Sequence, residues 1–202
     1  MSVIASASSN LLAPGLADPS HDAQRLFRGV LDAFAHPGRI VELRDAPAGP
    51  GTLSPASVAF LLTFADRETP VWLEAGLDTQ AVRDFLRFHA GAPIVDQREA
   101  ATFAVITGGD PDPFAGFAIG TDTYPDRAAT LIVEVPGLAT GPALLWRGPG
   151  IDGEVGVALE GLGCGFWSAW AANHTLFPCG IDLVFASESR LLALPRSVAV
   201  EG

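Results

Sequence analysis

The 202-residue chain contains no lysine; all 12 of its basic side chains other than histidine are arginines. This absence excludes a Schiff base to pyridoxal phosphate or to a carbonyl substrate, which needs an amine. It also excludes the Walker loop G-x-x-x-x-G-K-[ST]. A polybasic membrane patch is not expected. Cysteine is nearly as scarce. Cys164 and Cys179 are too few for a zinc site of their own. They allow one disulfide, with two buried reduced thiols as the favoured reading. No apolar run reaches the length of a bilayer span. Met1 to Pro14 has neither a basic start nor an apolar core, so no secretory signal is read there. The expectation is a cytoplasmic protein with no membrane partner. The Asn173-His174-Thr175 sequon is then not a glycosylation site.

Hydrophobic residues make up 49% of the chain and charged ones 17%, the composition of an ordered globule with apolar surface left for a partner. Area scaling lets a chain of this size bury about 70% of its surface, enough for a core without disulfides or metal. The net charge is -11. Such a surface repels phosphate backbones and argues against nucleic acid as a partner. A local arginine corner could still focus a field against the net charge.

Periodicity gives an alternation of helices and strands. Residues 1–18 lack any period and are expected to form a disordered tail, with one domain over 19–202. Leu26, Phe27, Val30, Leu31 and Phe34 recur at helical spacing, with Ser20 as the expected cap. Ser54-Pro55 opens a second helix, and Asp78 or Thr79 a third that Gly91 and Pro93 end. Strands are expected over 39–44, 71–73, 102–106, 130–135, 143–147, 181–186 and 191–194; residues 161–175 are ambiguous between helix and loop. Several strands are apolar on both faces, which favours a sheet covered by helices on both sides.

Four constellations invite a functional reading. Asp66-Arg67-Glu68-Thr69-Pro70 could hold a polar ligand or form a solvated turn. Arg83 and Arg87 share a helix face beside His89; they could clamp a phosphate, or Asp84 and Glu99 could neutralise them. His174 and Cys179 suggest a nucleophile and base, against a buried structural thiol. Gly148-Pro149-Gly150-Ile151-Asp152-Gly153 lacks the dinucleotide fingerprint and reads better as a turn between strands.

Taken in order, a set of short segments resembles the PhnH family of bacterial carbon–phosphorus lyase systems. It runs from Asp22-Ala23-Gln24, Phe27-Arg28 and Pro37-Gly38 through Leu61-Leu62-Thr63, Asp66, Thr69 to Leu73 and Leu86-Arg87-Phe88-His89. It continues with Ala92-Pro93, Ala101 to Val105, Ala129-Thr130-Leu131 and Gly148 to Ile151. It closes with Phe177-Pro178, Gly180 to Leu183 and Leu194-Pro195-Arg196. The resemblance spans residues 20 to 200; Cys179 stands where an aliphatic residue is expected. It implies an α/β/α sandwich with a mixed sheet, like the large domain of pyridoxal-phosphate transferases but without that cofactor. It implies a homodimer and a complex with PhnG, PhnI and PhnJ, working with the ATPase-like PhnL. The complex would replace the adenine of ATP by a phosphonate, giving a ribose 1-phosphonate 5-triphosphate. The radical iron–sulfur chemistry would belong to PhnJ, so no cofactor is expected on this subunit. The leading expectation is an accessory subunit. The alternative is a direct phosphonate or nucleotide site built from Asp66, Arg87, His89 and Arg196, with Arg87 on the anionic oxygens and His89 donating a proton. A stand-alone hydrolase using Cys179 and His174 is the third reading.

Overall fold

The computed structural model describes residues 12–202. The expected tail falls mostly on residues 1–11, outside the described part. Of the remainder, Ala13 and Leu16 pack against the core.

Helix α1 covers Pro19–Ala35. Its cap is Asp18, whose carboxylate accepts a hydrogen bond from His21 N, and not Ser20 as expected. Pro19 explains the shift: it takes the first helical position, where its missing N–H costs nothing, so the capping side chain must precede it. Helix α2, Pro55–Phe64, starts as expected, with Ser54 accepting from Ser57 N. It is apolar all round because it lies between α1 and α3. Helix α3, Gln80–His89, uses Thr79 as its cap. Helix α4, Phe166–His174, settles the ambiguous stretch.

The strands are β1 Val41–Glu42, β2 Val71–Leu73, β3 Ile94–Val95, β4 Phe103–Ile106, β5 Thr130–Glu134, β6 Leu138–Arg147, β7 Val155–Leu159, β8 Asp182–Ser187, β9 Arg190–Leu194 and β10 Ala199–Glu201. Seven of them form a mixed sheet in the order β1-β9-β8-β5-β4-β2-β3. Its middle is parallel, β8 with β5, β5 with β4 and β4 with β2. The β8–β9 hairpin then reverses direction, with Leu183 opposite Leu194. The other three strands make a small antiparallel sheet, β10-β6-β7.

The sheet has helices on both faces, but not equally. One face carries α1, α2 and α3 over Val105, Ile132, Val184 and Ala193. The other carries α4 together with the small sheet, whose Trp146, Val157 and Leu159 pack with Phe166, Trp170 and Phe185. The expectation of helices alone on both sides is corrected here. β7 and β10 carried no sequence signal above their Gly and Ser neighbours, and β6 contains Gly141-Pro142, which normally argues against a strand. The register of β6 with β7 breaks between Leu138 and Ala143, and this irregularity accommodates the proline.

Candidate functional site

In an open parallel sheet, ligands sit outside the carboxyl ends of the strands. Here β2, β4 and β5 end at Leu73, Ile106 and Glu134, and polar residues follow or finish each strand. Glu74 accepts from Thr107 N at 2.5 Å and from Thr107 Oγ1 at 3.0 Å, tying the ends of β2 and β4 together. Glu134 turns towards the start of α2 and accepts from Ser54 N at 2.8 Å. Above them lies an open cavity of about 460 Å³, lined by Thr52, Leu77, Thr107, Gly109, Glu134, Pro136 and Gly161. Gly161 is required there, because a Cβ would stand 2.5 Å from Pro136 Cδ.

Burial pushes the Glu134 carboxyl above its usual range, and hydrogen bonds from Ser57 and Ser54 only partly offset this. Its described lining holds a carboxylate and no arginine. The crevice therefore presents no guanidinium to a phosphate or phosphonate oxygen. The raised group gives a pH prediction. The folded state binds the Glu134 proton more tightly than the unfolded one, so stability falls as pH rises from the ordinary glutamate range through the raised value. Glu134→Gln removes that slope. Its unfolding free energy, followed against pH in urea, is expected to gain on the wild type as pH rises and then level off. A difference that is flat in pH would contradict the assignment.

The four residues expected to bind ligand do not converge on this crevice. Asp66 is exposed in the turn after α2, where its carboxylate accepts from Glu68 N at 2.8 Å and its own N–H donates to Thr69 Oγ1 at 2.7 Å. Arg87 is exposed in the last turn of α3 and makes no ion pair among the described residues. His89 faces the other way: Nε2 lies 3.0 Å from Ala13 O, and its ring is tilted against Phe85 and edge-on to Phe88. It anchors the segment before α1 instead of standing open beside Arg87. Arg196 lies in the other layer, beside α4. It clasps Asp182, at the start of β8, through Nε and Nη2, and donates from Nη1 to Pro125 O at 2.8 Å. Asp66, Arg87 and His89 lie in or beside the segments that lead into β2 and β3, and Arg196 follows the antiparallel β9 beside the start of β8, so all four flank the amino edge of the parallel strands, opposite the crevice.

Arg83 is likewise not free. It pairs with Asp78, which is held below the usual carboxylate range, and reaches Asp96 at 3.4 Å. Its neutralisers are thus Asp78, just before the cap Thr79, and Asp96, just after β3, and not Asp84 or Glu99. Cys164 is exposed and Cys179 buried, both as free thiols, which corrects the expectation that both are buried. Burial, reinforced by Asp122 3.6 Å away, pushes the Cys179 thiol up and makes it a poor nucleophile. His174 directs Nδ1 to Arg196 O at 2.9 Å. Asn173 is buried, with its amide bridging Ile181 N and Ile181 O. Gly148–Gly153 forms the turn between β6 and β7. Among the described residues, no three His, Cys, Asp or Glu side chains gather as a metal site, and no helix is long and apolar enough to cross a membrane.

Sequence reasoning missed Glu134 and its surroundings. The available signal was an acid closing the apolar run Thr130-Leu131-Ile132-Val133, a position at the carboxyl edge of a buried parallel strand.

Residues 14–201 match the family described as bacterial phosphonate metabolism protein (PhnH). The chain belongs to the PhnH family. It is 42% identical over 196 residues to the alpha-D-ribose 1-methylphosphonate 5-triphosphate synthase subunit PhnH of Rhizobium meliloti (strain 1021), covering 96% of this chain and 98% of that protein. It is 29% identical over 177 residues to HtxG of Stutzerimonas stutzeri, a protein named as a C–P lyase subunit, covering 88% and 85%. The PhnH match takes in every element from α1 to β10.

Proposed function

We propose that this chain is the PhnH-type subunit of a carbon–phosphorus lyase complex. It would act with PhnG-, PhnI- and PhnJ-type subunits and a PhnL-type ATPase to transfer the ribose triphosphate of ATP to a phosphonate, releasing adenine. The carrying observation is the near end-to-end relation to the Rhizobium subunit. In this reading the chain is one domain from residue 19 onward, self-associates as a homodimer and works in the cytoplasm. Its α/β/α layering follows the large domain of pyridoxal-phosphate transferases, and it carries no cofactor of its own.

The role that fits the chemistry is assembly. The crevice lining offers no arginine, and of the arginine and histidine corners Arg196, Arg83 and His89 are committed to partners within the chain, which leaves Arg87 as a single exposed guanidinium on the opposite edge of the sheet. A triphosphate or phosphonate would then meet its cations on neighbouring subunits. Reconstitution tests this: adenine release from ATP and methylphosphonate is expected with the full set of subunits and lost when this chain alone is withheld. Undiminished release without it would sink the proposal.

A further inference from the structure

The order of the parallel strands puts a switch point between β2 and β4. From β2 the chain crosses through α3 to β3, on one side of β2, whereas β4 lies on its other side and leads on to β5. The two connections also use opposite faces. Val82 and Phe85 of α3 pack in the cluster with Val105 and Ile132, and Phe117, between β4 and β5, packs in the cluster with Ala104 and Leu131. Connections that part in this way open a crevice at the carboxyl ends of the strands, where such sheets receive their ligands.

Here a side chain of the protein itself holds that place. Glu74, the first residue after β2, sets Oε2 2.5 Å from Thr107 N and Oε1 3.0 Å from Thr107 Oγ1, and Thr107 is the first residue after β4. The backbone of Glu74 is pinned too: its N–H donates to Val105 O, and its carbonyl accepts from Leu77 N and Asp78 N. The arginines of the flanking segments, Arg83 of α3 and Arg98 before β4, are taken by Asp78 and Asp110. Among the described residues the Glu74 carboxylate is thus held by one amide and one hydroxyl, the donors that a carboxylate or phosphate from outside would use. Glu134 repeats the arrangement at the end of β5, where it accepts from Ser54 N in front of α2.

We propose that Glu74 is a built-in ligand of this crevice: its carboxylate occupies an anion site made by Thr107 and closes the switch point to carboxylates, phosphates and phosphonates from outside. The inference concerns this chain by itself, so its failure leaves the subunit reading standing. Glu74→Ala deletes a CH2–carboxylate fragment, and acetate is the free molecule that refills the space. In the full chain, Glu74→Ala is expected to lower the urea midpoint by about 1 M through the charge-assisted bonds lost. Exchanging chloride for acetate at constant ionic strength is expected to return about half of that loss, with an apparent Kd of about 1–50 mM. The Thr107 amide resonance should move over the same range of acetate. The wild type, and Glu74→Gln, whose side chain still fills the place, are expected to respond neither to acetate nor to inorganic phosphate. If Glu74→Ala does not fold in chloride, its refolding in acetate replaces the midpoint: recovery supports the built-in ligand, and no recovery overturns it. A folded Glu74→Ala chain as indifferent to acetate as the wild type overturns the proposal. So does a wild-type Thr107 amide that acetate or phosphate displaces, because the crevice would then be open.

Discussion

Arg196→Ala is expected to destabilise the fold by about 3–5 kcal/mol, seen as a lower urea midpoint with an unchanged slope. The reason is what the substitution leaves behind. The side chains of Arg196 and Asp182 are only 13% and 20% exposed, and the guanidinium meets both carboxylate oxygens. Asp182 also accepts from Arg196 N at 2.7 Å, so the loop after β9 closes onto the start of β8. Removing the guanidinium strands a largely buried carboxylate and takes one of two donors from Pro125 O, which keeps Ala128 N. Arg190 with Glu188 is the contrast: 3.8 Å apart and 38% and 81% exposed, this pair contributes about 0–1 kcal/mol. Arg196→Ala and Arg190→Ala of equal effect would refute the account. Replacing both Arg196 and Asp182 by apolar residues of similar size should recover part of the loss, because no lone charge then remains.

The same pair marks the limit of what the sequence discloses. Local signals carried well: Ser54-Pro55 and Thr79 start their helices where expected, and the two-sided apolar runs at 103–106, 130–133 and 183–186 are the buried parallel strands. Signals that require two distant segments did not carry. Asp182 and Arg196 are 14 residues apart and meet because β8 and β9 form a hairpin around Glu188-Ser189, a turn without the glycine that would announce it. The crevice draws Thr52, Thr107, Glu134 and Gly161 from four stretches that share no spacing. Of the small sheet only the 143–147 strand was legible, inside β6; its pairing was not, since β10 meets β6 across more than fifty residues. Arg87 and His89 are neighbours in sequence and on a helix end, but helical geometry sends one to solvent and the other under the segment before α1. The family resemblance, by contrast, was legible because it depends on the order of many weak segments and not on their contacts.

Gly150→Ala is expected to cost about 3 kcal/mol, lowering the melting temperature by roughly 6–12 °C for a chain of this size. Two separate penalties combine. Gly150 has φ +84°, a left-handed conformation that a Cβ disfavours by about 1–2 kcal/mol. A Cβ there would also run into the carbonyl of Ala35, the last residue of α1, with Pro37 Cδ only 2.9 Å away. Neither neighbour is the free end of a flexible side chain, so the turn must move off the helix end, at a further cost of about 1–3 kcal/mol. Gly153, in the same turn, separates the two penalties: φ is +74° and no atom lies within 4 Å of its would-be Cβ. Gly153→Ala should therefore show the backbone penalty alone. Equal melting temperatures for the two variants would mean that the contact with α1 carries no weight. The expected inequality would show that the β6–β7 turn is seated on the end of α1, so that the helix–proline corner at Pro37-Gly38 and the small sheet hold one another in place. That gives Gly148-Pro149-Gly150 a structural reason for its glycines, without a phosphate.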